Sequence, residues 1–280
     1  MIVADSDRST SRQGKLASRF RLQWQFAFTL VMFAFMYLPV LVLAFFSFNA
    51  SPFASNWQGF SLRWYISMFN DGRILSALQD SLSVALISVV VSAVLGTFMA
   101  VGLARYTFPG KSLYQGISYL PLIIPDIAIA VATLVFLASL AIPLSLWTVI
   151  SAHMVFCLAY IAVIVSTRLA GLNPFLQEAA LDLGATPRQA FLKVLLPELM
   201  PAIISGCLLS FVLSMDDLLI SSFTAGGGVN TLPMEIFSRV RTGVKPDVNA
   251  LSAVLILGSG LLAFASEVIR YQSDQRRLKN

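Results

Sequence analysis

Long apolar runs separated by short polar connections dominate this chain. They lie at about 26–48, 82–104, 113–140, 146–167, 202–223 and 248–269, and each reaches the roughly 20 residues that an α-helix needs to cross a hydrocarbon core. None alternates apolar and polar positions as a barrel strand does, so the pattern predicts an all-α membrane protein with six transmembrane helices. The first run is too long for a signal-peptide core and no small-residue cleavage site follows it, so it is expected to remain as an anchor. Residues 1–21 are polar and aperiodic, a tail expected to have little fixed structure. Residues 49–78 mix aromatics with Pro, Gly and Ser and read as a loop with a short interfacial helix at about 62–69. Pro143 marks a tight reversal between the third and fourth runs.

The longest polar interruption in the second half is Gln177–Pro197, QEAALDLGATPRQAFLKVLLP. Its punctuation predicts two short helices meeting at a corner. Asn173-Pro174 supplies a cap and a first-turn proline, and Gly184 supplies a left-handed end. Thr186-Pro187 restarts the helix, with Gln189 three residues after Thr186 to complete a capping box. Glu178, Asp182, Arg188 and Lys193 charge this corner, which reads either as an ordinary loop or as a knob that fits a socket elsewhere.

Composition agrees with the membrane reading: 57% of the 280 residues are hydrophobic, 12% are charged, and mean hydropathy is +0.79, against about 25% charged residues in a soluble domain. The net charge of +5 therefore reflects basic loops on one side of a bilayer rather than a nucleic-acid partner. With the N-terminus inside, the inner side receives five Lys/Arg from the tail, two from 105–111, three from 168–193 and four beyond 269; outside fall Arg63, Arg73, Arg239, Arg241 and Lys245. The positive-inside rule thus places both termini and the corner in the cytoplasm. The expected organisation is a tail at 1–21, a membrane domain at 22–270 with the corner at about 174–197, and a tail at 271–280. Cys157 and Cys207 fall within apolar runs and read as packing residues; no thiolate metal site is expected.

Three carboxylates lie inside predicted spans: Asp126 just after Pro125, and the pair Asp216-Asp217. A charge at the bilayer centre costs about 2.5–3.5 kcal/mol on insertion scales, so such groups face a polar cavity or a partner. Three of them suit a di- or polycationic solute. The alternative is structural: Asp126 against backbone opened by Pro121 and Pro125, and one Asp of the pair as a cap or a partner within the bundle. Tyr119, Phe136, Tyr160, Phe211 and Phe223 occupy the same segments and offer either cation–π contact or plain packing. The only histidine, His153, reads as a buried residue bonded to a neighbouring helix or as a proton relay. Ser151 does not share its helix face, which argues against a hydrolase. Gly110-Lys111-Ser112 imitates the end of a phosphate-binding loop, but Arg105 stands where the first glycine belongs, so no ATPase is expected in this chain.

Glu178-Ala179-Ala180, Gly184, Val194 and Leu196-Pro197 together resemble the cytoplasmic signature of ATP-binding-cassette importer permeases, with Val194 at a position that is Ile in the pattern. SFN at 47–49, GFSLRWY at 59–65, PLIIPD at 121–126, SMDDLLISSF at 214–223 and TLPMEIFSRVRTGVKPDVNA at 231–250 extend the resemblance over about 25–265. They are similar to the polyamine branch of these permeases, nearest to the putrescine-type second permease. The resemblance implies a type I importer fold in the bacterial inner membrane. It implies a second permease, a separate ATP-binding homodimer that uses ATP and Mg, and an external polyamine-binding protein, with no cofactor and no catalysis in this chain. It assigns Glu178, Ala179, Ala180, Asp182, Gly184 and Pro197 to ATPase coupling, and Asp126, Asp216, Asp217, Tyr160 and Phe211 to the solute pathway. The loop 224–247, with Gly226-Gly227-Gly228 and Glu235, is then expected to dock the binding protein or close an outer gate.

Two other classes remain. An ion-gradient carrier for small organic cations would use the same acids and would show broken helices in both halves; only the third segment is visibly interrupted. An intramembrane enzyme has only Ser151 and His153 to work with.

Overall fold

A computed structural model describes the backbone of residues 6–51, 56–242 and 246–279. It contains α1 (Ser6–Phe46), α2 (Arg63–Phe69), α3 (Gly72–Arg105), α4 (Lys111–Tyr119), α5 (Asp126–Ser139), α6 (Leu146–Ala170), α7 (Leu176–Asp182), α8 (Pro187–Gln189), α9 (Leu196–Asp216), α10 (Leu219–Thr224), α11 (Leu232–Thr242) and α12 (Pro246–Lys279). Five helices are long and apolar enough to cross a membrane, and one bent pair makes a sixth candidate. The helix at 62–69 forms as expected. The backbone of α1 is already helical from Ser6, so the helical pattern begins well before the expected span.

The centre is a three-helix packing of α3, α6 and α9 built on small residues. Ser81, Ala85, Ser88, Ser92, Gly96 and Ala100 form a buried stripe along α3, which lets its backbone approach α6 closely. A Cβ on Gly96 would lie 3.1 Å from the Leu158 carbonyl. Ser88 Oγ donates to the Ile150 carbonyl at 3.0 Å, and Ser92 Oγ to that of Met154 at 3.3 Å. These bonds satisfy polar groups that lipid could not. Gly206 plays the equivalent part on α9, packing against Ile161. Between these contacts sit Ile161, Val165, Leu195 and Leu199, all fully enclosed. By contrast, none of Trp24–Phe46 is buried.

Two of the six expected spans are broken, the third, whose prolines already interrupt it, and the fifth, which was expected to be continuous. The run at 113–140 divides into a first part, Lys111–Leu122, and α5, bent by 108°. Pro121 and Pro125 are the cause, since each lacks an amide donor and disfavours helix in the residue before it. The run at 202–223 stops at Asp216: Asp217 is extended, with φ −71° and ψ 122°, and α10 begins two residues later. Here an acid side chain replaces the helical backbone bonds, as the next section describes. In the other direction, α3 starts at Gly72, ten residues before the apolar run, because Asp71 caps it through the Arg73 amide at 2.9 Å.

Candidate functional site

The corner at 173–197 makes the two short helices its punctuation predicts, but the first starts late: α7 opens at Leu176 with Phe175 as its N-cap, so Asn173 and Pro174 form a turn ahead of the helix rather than its cap and first residue. Asn173 Oδ1 accepts from the Phe175 amide at 3.0 Å. Gly184 takes φ +87°, and the Ala185 amide returns to the Ala180 carbonyl at 3.0 Å, closing α7. Thr186 and Gln189 form the reciprocal box: the Gln189 amide reaches Thr186 Oγ1 at 3.3 Å and the Thr186 amide reaches Gln189 Oε1 at 2.9 Å. A π-helical stretch, Ala190–Leu195, then joins α8 to α9, so the corner is continuous with a membrane-crossing helix. Pro197 falls in the first turn of α9, where its missing donor costs least.

Glu178, Ala179, Asp182 and Gly184 are exposed and Ala180 is half-buried. The tip also carries apolar side chains in the open, with Leu183 90% exposed and Phe175 64% exposed. The sequence reading had named the charges and small residues there and missed these two. The signal was present in the pattern, as two apolar residues within an otherwise polar capped corner. At the corner's base, Arg105 donates to the Pro174 carbonyl at 3.0 Å, and Arg168 pairs with Glu198 at 3.0 Å. These contacts tie the corner to the ends of α3 and α6.

The second site forms where the two broken spans meet. A cavity of about 150 Å³ is lined by Pro121, Asp126, Phe156, Tyr160, Leu213, Asp216, Asp217 and Ile220. The structure therefore gathers Asp126, Asp216, Asp217 and Tyr160, which come from three separate segments. Phe211 does not line the cavity; it packs with Tyr160, Leu213 and Phe223 against the buried cluster of Val89, Ile129, Ala130 and Phe156. Of the other aromatics considered, Tyr119 is 3.5 Å from Ser166 Oγ and Phe136 is exposed.

The three acids are in unlike states. Asp126, in the first turn of α5, and Asp216, the last residue of α9, are both exposed to the cavity side and form no hydrogen bond or ion pair among the described residues. Asp217 is fully engaged. Its Oδ1 accepts from the Ile220 amide at 3.2 Å, and its Oδ2 accepts from the Ser221 amide at 2.8 Å and Ser221 Oγ at 2.9 Å, so it caps α10. The same Oδ2 lies 3.2 Å from His153 Nε2. Buried His153 also meets Ser221 Oγ at 3.0 Å and, through Nδ1, Ser214 Oγ at 2.7 Å. The expected bonding of His153 to a neighbouring helix is thus found, and Asp217 is the partner the sequence reading missed. Ser151 is exposed and bonded to its own helix at Trp147, so it does not meet the imidazole.

The glycine run after α10 has a packing role at its first position. A Cβ on Gly226 would overlap the Leu144 carbonyl, and Thr148 Oγ1 lies 2.7 Å from the Thr224 carbonyl. Both contacts fasten the end of α10 to the start of α6. Beyond it, Arg239 of α11 holds Asp71 at 2.7 Å, Glu235 at 2.7 Å and Asp247 at 2.8 Å. Burial alone would raise the Asp71 carboxyl, but the bond from Arg239, the Arg73 amide and the Arg239 charge outweigh it and hold it below its ordinary value. Burial likewise works against the Arg239 charge, and the bonds to Asp71 and Glu235 more than reverse that, raising its pKa. Glu235, expected in a gate or docking loop, is committed to this knot.

Broken spans around an acidic cavity, with an exposed corner continuous with a membrane-crossing helix, fit a transport permease. The chain belongs to the family of binding-protein-dependent transport system inner membrane components, whose model matches residues 92–279. It is a multi-pass protein of the bacterial inner membrane, a transport subunit and not an enzyme. It is 39% identical over 267 residues to the putrescine transport system permease protein PotI of Escherichia coli K12, covering 93% of this chain and 95% of that one. It is 40% identical over 242 residues to the spermidine/putrescine transport system permease protein PotC of the same strain, covering 86% and 92%. Its fold matches a chain of a bacterial ABC transporter involved in the import of the acidic polysaccharide alginate, with a TM-score of 0.65, 16% identity, and coverage of 94% and 99%.

Proposed function

We propose that this chain is one of two different permease subunits in an ATP-driven importer of polyamines, putrescine or spermidine. An external binding protein delivers the solute, and an ATP-binding homodimer on the cytoplasmic side, where both termini also lie, drives the cycle. The observation that carries the solute class is the pair of uncommitted carboxylates, Asp126 and Asp216, in one cavity at the end of α9. The C-terminal carbonyls of α9 add a negative helix end at the same place, which favours an ammonium group. Tyr160 completes the lining, Asp217 reaches its wall with a carboxylate already committed to α10 and His153, and Phe211 supports it from behind. The PotI and PotC relatives point to the same solutes.

Coupling runs through the corner. Glu178, Ala179, Ala180, Asp182 and Gly184 face the ATPase, with Leu183 as the apolar anchor, and Pro197 begins the helix that carries movement to the cavity. ATP binding must favour one arrangement of the permease pair and hydrolysis must permit the return.

One observation favours the rival carrier reading: both halves contain a broken span, where the apolar pattern had promised only one. ATP dependence separates the two. Uptake of labelled putrescine and spermidine is measured in cells with and without the gene, before and after ATP depletion with ion gradients held. Gene-dependent uptake that stops with ATP depletion is expected. Uptake that persists would establish the carrier instead, and gene-independent uptake of both amines would remove them as solutes.

A further inference from the structure

We infer that the three cavity acids divide into two roles: Asp126 and Asp216 take the solute's ammonium groups, whereas Asp217, held by His153, is a positioning residue that keeps the break between α9 and α10 open. The inference rests on the cavity being the solute pathway. It begins with what each carboxylate has left to offer. Asp217 already receives two backbone amides, one hydroxyl and one imidazole, whereas neither Asp126 nor Asp216 has a partner among the described residues.

His153 explains how the break is held. Ser214 lies in the last turn of α9 and Ser221 in the first turn of α10, so one imidazole on α6 grips the chain on both sides of the interruption. The proton count closes with a neutral ring. Nε2–H donates towards Asp217 and Ser221, and Nδ1 accepts from the Ser214 hydroxyl. The Ser221 hydroxyl in turn donates to Asp217. No buried polar atom in this group is left over, and the ring packs against Phe156 at 5.2 Å between centroids. What the arrangement positions is the neighbouring Asp216 together with the exposed carbonyl end of α9. If α9 continued through 217 and 218, both would be absorbed into an ordinary helix.

The roles separate under one kind of substitution. Asn caps a helix as well as Asp does, and an Asn at 217 can set its amide oxygen in the place of Oδ2, still accepting from Ser221 and from His153 Nε2–H and giving up only the bond from the Ile220 amide at 3.2 Å. Asp217→Asn therefore removes the charge and keeps the clamp. Uptake is measured in gene-deleted cells carrying the complete transporter, normalised to the amount of the chain in the membrane. Asp217→Asn is expected to retain uptake within about threefold, while Asp126→Asn and Asp216→Asn each lose about tenfold or more, the effect of roughly 1.4 kcal/mol. Asp217→Ala and His153→Ala are expected to lose uptake alike, and the double variant to be no worse than either, as for residues acting as one unit.

If Asp217→Asn falls as far as the other two Asn variants at wild-type membrane level, its charge is needed and the division of roles is wrong while the cavity reading survives. If all three Asn variants transport normally, the cavity is not the pathway and both readings fall. Multiplying losses in the His153/Asp217 double variant would also overturn the clamp. Asp217→Asn preserves the cap, so its result remains readable even if the alanine variants fail to insert.

Discussion

The exposed corner and the acidic cavity are built by opposite means. Beyond the base, where Arg105 holds Pro174 and Arg168 holds Glu198, the corner takes its shape from local contacts: Asn173 to Phe175, Ala185 to Ala180, Thr186 to Gln189. In the cavity the ordering contacts join residues 61 and 68 positions apart, His153 to Ser214 and to Ser221. The corner is exposed, with open space around Gly184, whereas the break is enclosed and backbone touches backbone at Gly226. A docking element needs a fixed shape and a free surface, which short-range capping supplies. A solute site must keep charges and a helix end unsatisfied within apolar surroundings, and only contacts from several helices can hold that.

Paired glycine substitutions test this contrast with the largest effect. Gly226→Ala places a methyl group on the Leu144 carbonyl, so backbone must move. A loss of about 4 kcal/mol or more is expected, seen as little chain in the membrane. Gly184→Ala meets no atom within 4 Å and is penalised only by its φ of +87°, so about 1 kcal/mol is expected, with normal insertion. Equal losses for the two would erase the distinction between a packed break and an open corner.

Next in size is the Arg239 knot, which resembles the cavity in being long-range but is fully paired. Arg239→Met leaves Asp71, Glu235 and Asp247 facing each other and is expected to cost roughly 3 kcal/mol, read by thermal unfolding in detergent. The pH dependence has a definite sign. Asp71 is held below its ordinary value when folded, so its contribution is complete above its unfolded pKa of about 3.9 and is lost as pH falls through the lower folded value. Wild-type stability should thus lose this contribution only at strongly acid pH, and the Arg239→Met variant should show a shallower loss there.

These differences also explain what could be read in the sequence. The second half of the corner was legible nearly to the atom because Gly184, Thr186 and Gln189 act on neighbours and their chemistry is fixed by spacing; its start was not, since Asn173 and Pro174 precede α7 by a turn instead of capping it. The six apolar runs were legible as spans, since length and hydropathy suffice, whereas the stripe of Ser and Gly that packs α3 on α6 came only with the structure. The break at Asp217 was not, because hydropathy continues through Leu218, Leu219 and Ile220 as if the helix did. Only the pairing of His153 with Asp217 across 64 residues reveals why the chain turns there. A clue existed: the one histidine and a carboxylate, both costly in lipid, occupy neighbouring spans and would be cheaper together. Pro121 and Pro125 marked the other break, but prolines also occur in merely kinked helices, and a bend of 108° depends on what α5 packs against.

A moderate effect is expected at the tip of the corner. Leu183 is 90% exposed, so Leu183→Ala should leave stability within about 0.5 kcal/mol. As the apolar anchor of docking it should nonetheless cost about 2 kcal/mol of association with the ATPase, close to thirtyfold. The check is co-purification with the ATPase together with uptake. Unchanged association would assign the corner's hold to Glu178 and the small residues alone.

The smallest effect is the most discriminating between the two regions. Thr186→Ala removes the hydroxyl that accepts from the Gln189 amide at 3.3 Å and frees the Gln189 side chain that holds the Thr186 amide at 2.9 Å. Both amides lie at the surface, where water can replace the lost partner, so about 1 kcal/mol is expected, near the lower part of the range for such caps. Hydrogen exchange at residues 186–190 should quicken about fivefold, while exchange at the Ile220 and Ser221 amides, capped by Asp217, should not change. If the Asp217-capped amides quicken too, the lever helix α9 transmits disorder as well as movement, and corner and cavity open as one cooperative unit. If they do not, the corner frays and re-forms without loosening the Asp217 cap at the break, as the proposed docking role requires.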